Sequence, residues 1–141
     1  MAIIGESSTV KQALKTITFT GGAGLGAVGN VPIFTVTGRV YLHRITAHCT
    51  VDLTGATATL ALGTTNQTAR FIAATTATDI DVGEWWVDTA PDLGSVDLPD
   101  IMQSVLVSEN IVGTVAVAAV ASGAIVFEVI YEPITSNGAL A

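Results

Sequence analysis

The longest apolar stretch of this chain runs from Ile111 to Phe127, seventeen residues without a charge that read IVGTVAVAAVASGAIVF. Hydropathy alone would assign it to a membrane helix, which needs about 20 apolar residues. Its internal order argues against a helix. Val115 and Val117 alternate with Ala116 and Ala118, which is the two-residue period of a strand. Ser122-Gly123 then supplies turn chemistry, and a second β-branched run, AIVFEVIY, follows from Ala124 to Tyr131. Two such runs joined by a short glycine turn predict a β-hairpin over 111–131. The expectation is an all-β chain with no membrane partner.

Composition supports sheet. Thr, Val, Ala, Ile and Gly dominate, while only 12% of the 141 residues are charged. Typical soluble domains carry roughly 25%, so the surface must be furnished with Thr, Ser and Ala. Such a surface fits a protomer that is covered on several sides. The length corresponds to a single domain able to bury a core without disulfides or metals. The net charge is −7, and seven of the twelve acids fall between Asp79 and Asp100, a segment without Lys or Arg. No basic stripe is present to neutralise phosphates, so nucleic acid is not an expected partner. The single Cys49 excludes an intrachain disulfide and reads as a small buried residue. The N-terminus, MAIIGESSTVKQ, lacks a basic start and a useful apolar core, so folding in a cytoplasm is expected.

Read along the chain, residues 1–10 form an N-terminal arm, 11–135 a β-sandwich domain and 136–141 a C-terminal tail. Strands are expected at Leu14 to Thr20, after Pro32, at Arg39 to Val51, Ala56 to Leu62, Arg70 to Ala74, Glu84 to Val87 and Ile101 to Val107. The 111–131 hairpin completes the set. The loop GGAGLGAVGN occupies 21–30, and Asp88 to Asp100 is a long loop. About eight strands separated by turns predict a β-sandwich, with a jelly roll favoured by the strand number.

No string in the sequence carries catalytic or cofactor chemistry. Gly24, Gly26 and Gly29 match GxGxxG. Dinucleotide binding also requires a helix opening at the third glycine. Here Asn30-Val31-Pro32 follows at once, and proline turns the residue before it away from helix. Asp79, Asp81 and Glu84 alternate in the manner of calcium ligands, yet a solvated or partner-facing strand edge explains them equally well. In a regular strand His43 and His48 fall on opposite faces, and so do His48 and Cys49. His43 and Cys49 share a face but lie about 20 Å apart. No metal site and no Cys-His nucleophile follow. Asn66-Gln67-Thr68 is a glycosylation sequon read as an ordinary turn. In a regular strand Trp85 and Trp86 point to opposite faces, so that one fills the core and the other faces solvent or a partner; a strand twist or bulge would instead place both in the core. With Ile3 and Ile4 of the arm, the two tryptophans are the candidate interface residues.

Two stretches carry a resemblance: IFTVTGRVYLHRITAHCTVDLTGATATLALGTT from Ile33 to Thr65, and GAIVFEVIYEPIT from Gly123 to Thr135. Their order of strand and turn motifs resembles the head decoration (cement) proteins of tailed bacteriophages, jelly-roll type. The resemblance implies no catalytic residue. It implies a homotrimer on the outside of a capsid, gripping neighbouring copies of the major capsid protein, with the N-terminal arm assisting. A tail, fibre or baseplate component that binds a host surface is the alternative. Physically, a charge-poor sheet desolvates few ions when covered, and several contacts around one axis add through avidity.

Overall fold

The computed structural model describes residues 10–141 of the chain. Two antiparallel sheets pack face to face. The first holds β1 (Lys11–Thr18), β4 (Val40–Thr54), β7 (Glu84–Trp85), β8 (Asp92–Leu93), β9 (Gln103–Val107) and β11 (Ser122–Pro133). Its order is β1-β11-β4-β7-β8, with β9 also paired to β4. The second sheet holds β2 (Gly29–Phe34), β5 (Thr59–Thr64), β6 (Ile72–Thr76) and β10 (Ile111–Ala116), in the order β2-β10-β5-β6. Pairing β1 with β11, β2 with β10, β4 with β9 and β5 with β6 describes one long antiparallel ribbon. Rolled up, that ribbon brings β11 against β4 and β10 against β5. This is the jelly-roll order, and it agrees with the all-β sandwich expected from the sequence.

The core lies between the sheets. Leu42, Ile45, Ala47, Ile125, Phe127 and Val129 face it from one side, and Val31, Ile33, Leu60, Leu62, Ile111 and Val115 from the other; all are buried. Each large side chain removed from water contributes about 1.5–3 kcal/mol. Pro32 sits in β2, the last strand of its sheet, where a missing amide donor costs no ladder bond. Gly29 opens this strand rather than a helix, so the glycine string is an interstrand loop, as its sequence context predicts.

The expected 111–131 hairpin is corrected. The two strands exist, but β10 pairs with β2 and β5 while β11 pairs with β1 and β4. Residues 117–121 form an arch from one sheet to the other. Val120 is fully buried at its centre, its amide donates to the Gly26 carbonyl at 2.8 Å, and the Ala121 amide donates to Thr54 O at 2.9 Å. Gly123 is therefore no turn residue. It lies within β11 at φ +116, and a Cβ there would fall 2.7 Å from Leu53 Cα. Glycine is needed for close approach of two backbones, not for reversal.

Other boundaries shift modestly. The strand read at 84–87 is only Glu84–Trp85, and the long loop after it contains β8 and a 3₁₀ turn at Asp100–Met102. Residues 136–141, expected as a tail, fold back. A two-stranded ribbon pairs β12 (Ala139–Leu140) with β3 (Val36–Thr37). Leu140 is buried, and Thr35 and Ala141 exchange both backbone hydrogen bonds at 2.8 and 3.0 Å. The sequon is an ordinary turn: Thr64 and Gln67 exchange backbone hydrogen bonds at 3.0 and 3.1 Å. Glu109 accepts from the Asn66 amide at 3.0 Å. Hydrogen bonds from the Thr64 hydroxyl and from Asn66 hold the Glu109 carboxyl below the usual range. Among the described residues no helix is long and apolar enough to cross a membrane.

Candidate interaction surface on the outer sheet face

The surface is set by an irregularity in β4. Its register with β11 matches Leu42 to Tyr131 and Arg44 to Ile130, leaving His43 without a partner. This bulge resets the alternation. Val40 and Leu42 face the core before it, and Ile45, Ala47 and Cys49 after it. Tyr41 and His43 before the bulge, and Thr46 and His48 after it, therefore share the outer side. The expectation that His43 and His48 lie on opposite faces is corrected, and so is the shared face of His43 and Cys49. The thiol of Cys49 is buried and bonded to Val51 O at 3.1 Å, and burial pushes its pKa from 9.0 up to about 11.

On β11 the outward positions are Val126, Glu128, Ile130 and Glu132, all half-buried. β1 adds Gln12 and the exposed Leu14 opposite Ile130 and Glu128. β9 adds Leu106, 75% exposed and opposite Tyr41. Apolar and polar side chains thus interleave across one open face.

The carboxylates, imidazoles, Gln12 and Arg44 of this face already have partners within the chain. His43 Nε2 lies 2.6 Å from Glu132 Oε1, and the Tyr41 ring meets the His43 ring edge-on with centroids 4.8 Å apart. Gln12 donates to Glu128 Oε2 at 2.6 Å, and Arg44 donates to Glu128 Oε1 at 3.4 Å. His48 Nε2 donates to Gly83 O at 3.2 Å. Pairing of this kind lowers the desolvation penalty when a surface is covered.

The two tryptophans divide as the strand period requires. Trp86 is fully buried, donates to Thr75 Oγ1 at 3.0 Å and stands edge-to-face to Phe127 at 6.5 Å. Trp85 remains half-exposed at the border of the outer face. Its indole donates to Gly94 O at 3.0 Å, and its ring lies over His48 with centroids 4.4 Å apart. A groove of 330 Å³ lies on one side, lined by Thr46, Val87, Val96 and Leu98. A hollow of 250 Å³ lies on the other, lined by Leu14, His48, Val126 and Glu128. Ile3 and Ile4, with most of the expected arm, lie outside the described residues. Sequence reading missed Leu14, Ile130 and Leu106, although the shared parity of Val126, Glu128, Ile130 and Glu132 was available as a signal.

Carboxylates in and beside the acidic segment tie its backbone down. Glu84 Oε1 accepts from the Asp81 amide at 2.7 Å, Asp52 Oδ1 from the Val82 amide at 2.6 Å and Asp88 Oδ1 from the Ala90 amide at 2.8 Å. Among the described residues no three His, Cys, Asp or Glu side chains gather closely enough to hold a metal ion.

These features define an all-β jelly-roll domain whose most developed surface is an open sheet face. A chain of the cyanophage Pam1 capsid asymmetric unit has a similar fold. The likeness covers 89% of this chain and 86% of that one, with a TM-score of 0.57 and 18% sequence identity. No family model and no curated protein matches this chain.

Proposed function

We propose that this chain is a structural virion protein of a tailed phage. In this reading it binds the outside of the capsid as a trimer, bridges major capsid protein subunits and stabilises the shell. The observation that carries the reading is the shared jelly roll with a chain of a capsid asymmetric unit, over most of the length of both. The charge-poor composition supports it, because a surface with few ions loses little when neighbours cover it. A tail, fibre or baseplate role is the alternative raised by the sequence, and the capsid membership of the matched chain favours the head. The mechanism is adhesion: contacts summed around one axis resist separation of the subunits beneath. The reading assigns the chain no catalysis, cofactor or metal.

Binding to shells that lack the protein tests this directly. Purified protein mixed with such capsids should co-sediment to a saturating ratio and raise the temperature at which the shells rupture. Failure to co-sediment at any concentration would remove the reading.

A further inference from the structure

We infer that the N-terminal segment 1–9 docks on its own chain, with Ile3 and Ile4 in the apolar groove at the C-terminal end of β9 and the Glu6 carboxylate on Arg39. The groove measures 240 Å³ and is lined by Arg39, Leu106, Val107, Ser108 and Ile134. Leu106 is 75% exposed and Ile134 53%, so its apolar walls stand open among the described residues. Such a contact belongs to the free chain and is independent of any capsid.

The place where β1 starts selects this groove. The segment joins β1 through Val10. Lys11 lies opposite Tyr131, Tyr131 opposite Leu42 and Leu42 opposite Val105, so β1, β11, β4 and β9 stand side by side at this end. Followed backward, β1 points past Pro133, Val40 and Val107, which are partners in the pairing beyond that row. Three strand spacings of about 4.8 Å put β9 about 14 Å from β1. Extended chain covers about 3.3 Å per residue, so Ile4 reaches about 20 Å from Val10.

Charge makes the same choice. Residues 1–9 read MAIIGESST, in which Glu6 is the single charged side chain. Arg39 is exposed on a fixed backbone: its carbonyl accepts from the Ile134 amide at 2.9 Å, and its amide donates to Thr135 Oγ1 at 3.0 Å. The ion pairs found among the described residues join His43 to Glu132 and Arg44 to Glu128, and neither uses Arg39. Lys11 and Lys15 alternate with Gln12 and Leu14 along β1 and so face away from the side on which Leu106 stands. Other seats suit Glu6 less well. The hollow beside Trp85 is lined by Glu128, and the groove on the other side of that ring is walled by the acidic segment. The strands of the four-stranded sheet hold no charged residue, and their outer face lies across the sandwich from Val10. In the β9 groove the isoleucines leave water, and the short tether makes the contact intramolecular.

Disulfide trapping in the full chain tests this. Ile4→Cys is combined either with Leu106→Cys in the groove or with Leu14→Cys outside it, and each pair is equilibrated in a glutathione redox buffer. Leu14 lies about 13 Å along β1 from Val10, within the same reach. Leu14, Arg39 and Leu106 are exposed, so their replacement removes no core contact, and Cys49 is buried away from exchange. The intrachain disulfide to position 106 should form about tenfold more readily than that to position 14, the scale of one isoleucine leaving water. Arg39→Glu should lower this preference by about threefold, the scale of an exposed ion pair, and adding Glu6→Arg should restore it. Ile134→Cys, which also lines the groove, repeats the measurement if Leu106→Cys disturbs it. Equal yields at the two positions overturn the inference. So does a preference that Arg39→Glu leaves unchanged, and so does a disulfide that joins two chains, because the groove then takes a neighbour's segment. No readout here involves a shell, so each of these failures leaves the proposed function standing. A chain that traps as expected but never binds shells loses the proposed function alone.

Discussion

Trp85 and Trp86 are adjacent in sequence and have opposite physical tasks. Trp86 is fully buried against Phe127 and hydrogen-bonded to Thr75. Trp86→Ala should therefore cost about 3–5 kcal/mol in denaturant unfolding, through lost burial and the cavity left behind. Trp85→Ala should cost only about 1 kcal/mol, the scale of its ring contact with His48. Equal losses would contradict this division. Cys49 gives a second prediction. Its folded thiol holds its proton up to about 11, while the unfolded thiol releases it near 9.0. Between those values the unfolded state binds fewer protons, so stability falls as pH rises. Alkylation at pH 8 should be negligible in the folded protein and rapid in denaturant. The tryptophan division was half legible in sequence: the period of a strand separates the two rings, but it does not exclude a bulge that buries both. The sides of the two histidines were not, because the bulge at His43 resets the alternation and no glycine marks it.

Individual strands were legible from their β-branched runs, but their pairing was not. A five-residue connection such as 117–121 can close a hairpin or cross between sheets, and residue type alone does not decide. The deciding features are distant in sequence: the Gly26 carbonyl that receives the Val120 amide and the Thr54 carbonyl that receives the Ala121 amide. Gly123 is the sharpest test of the crossing. In the observed strand its Cβ would press on Asp52 O at 2.6 Å and Leu53 Cα at 2.7 Å, at a φ that suits glycine. Gly123→Ala should lose about 1–3 kcal/mol, read by thermal unfolding. A neutral result would contradict this close approach of the two backbones. The end of the chain follows the same logic: ITSNGALA looks like a free tail by composition, yet Leu140 is buried once Val36 and Thr37 are placed beside it.

For the whole molecule, strand count and low charge were enough to read a sandwich of the jelly-roll kind. The interaction surface was only half visible. Trp85 stood out as an aromatic in a chain with few. The sheet face beside it depends on which strands lie next to one another, so Leu14, Leu106 and Ile130 became a surface only once β1, β9, β4 and β11 were aligned. The account rests on this domain being an adhesive held between neighbours on a phage head. Electron cryo-microscopy of the source particle tests that claim most directly. The account predicts threefold density on the outer capsid surface into which three copies of this jelly roll fit, touching several major capsid subunits. Capsids bare of that density, with the chain found in the tail or absent from the particle, would contradict it.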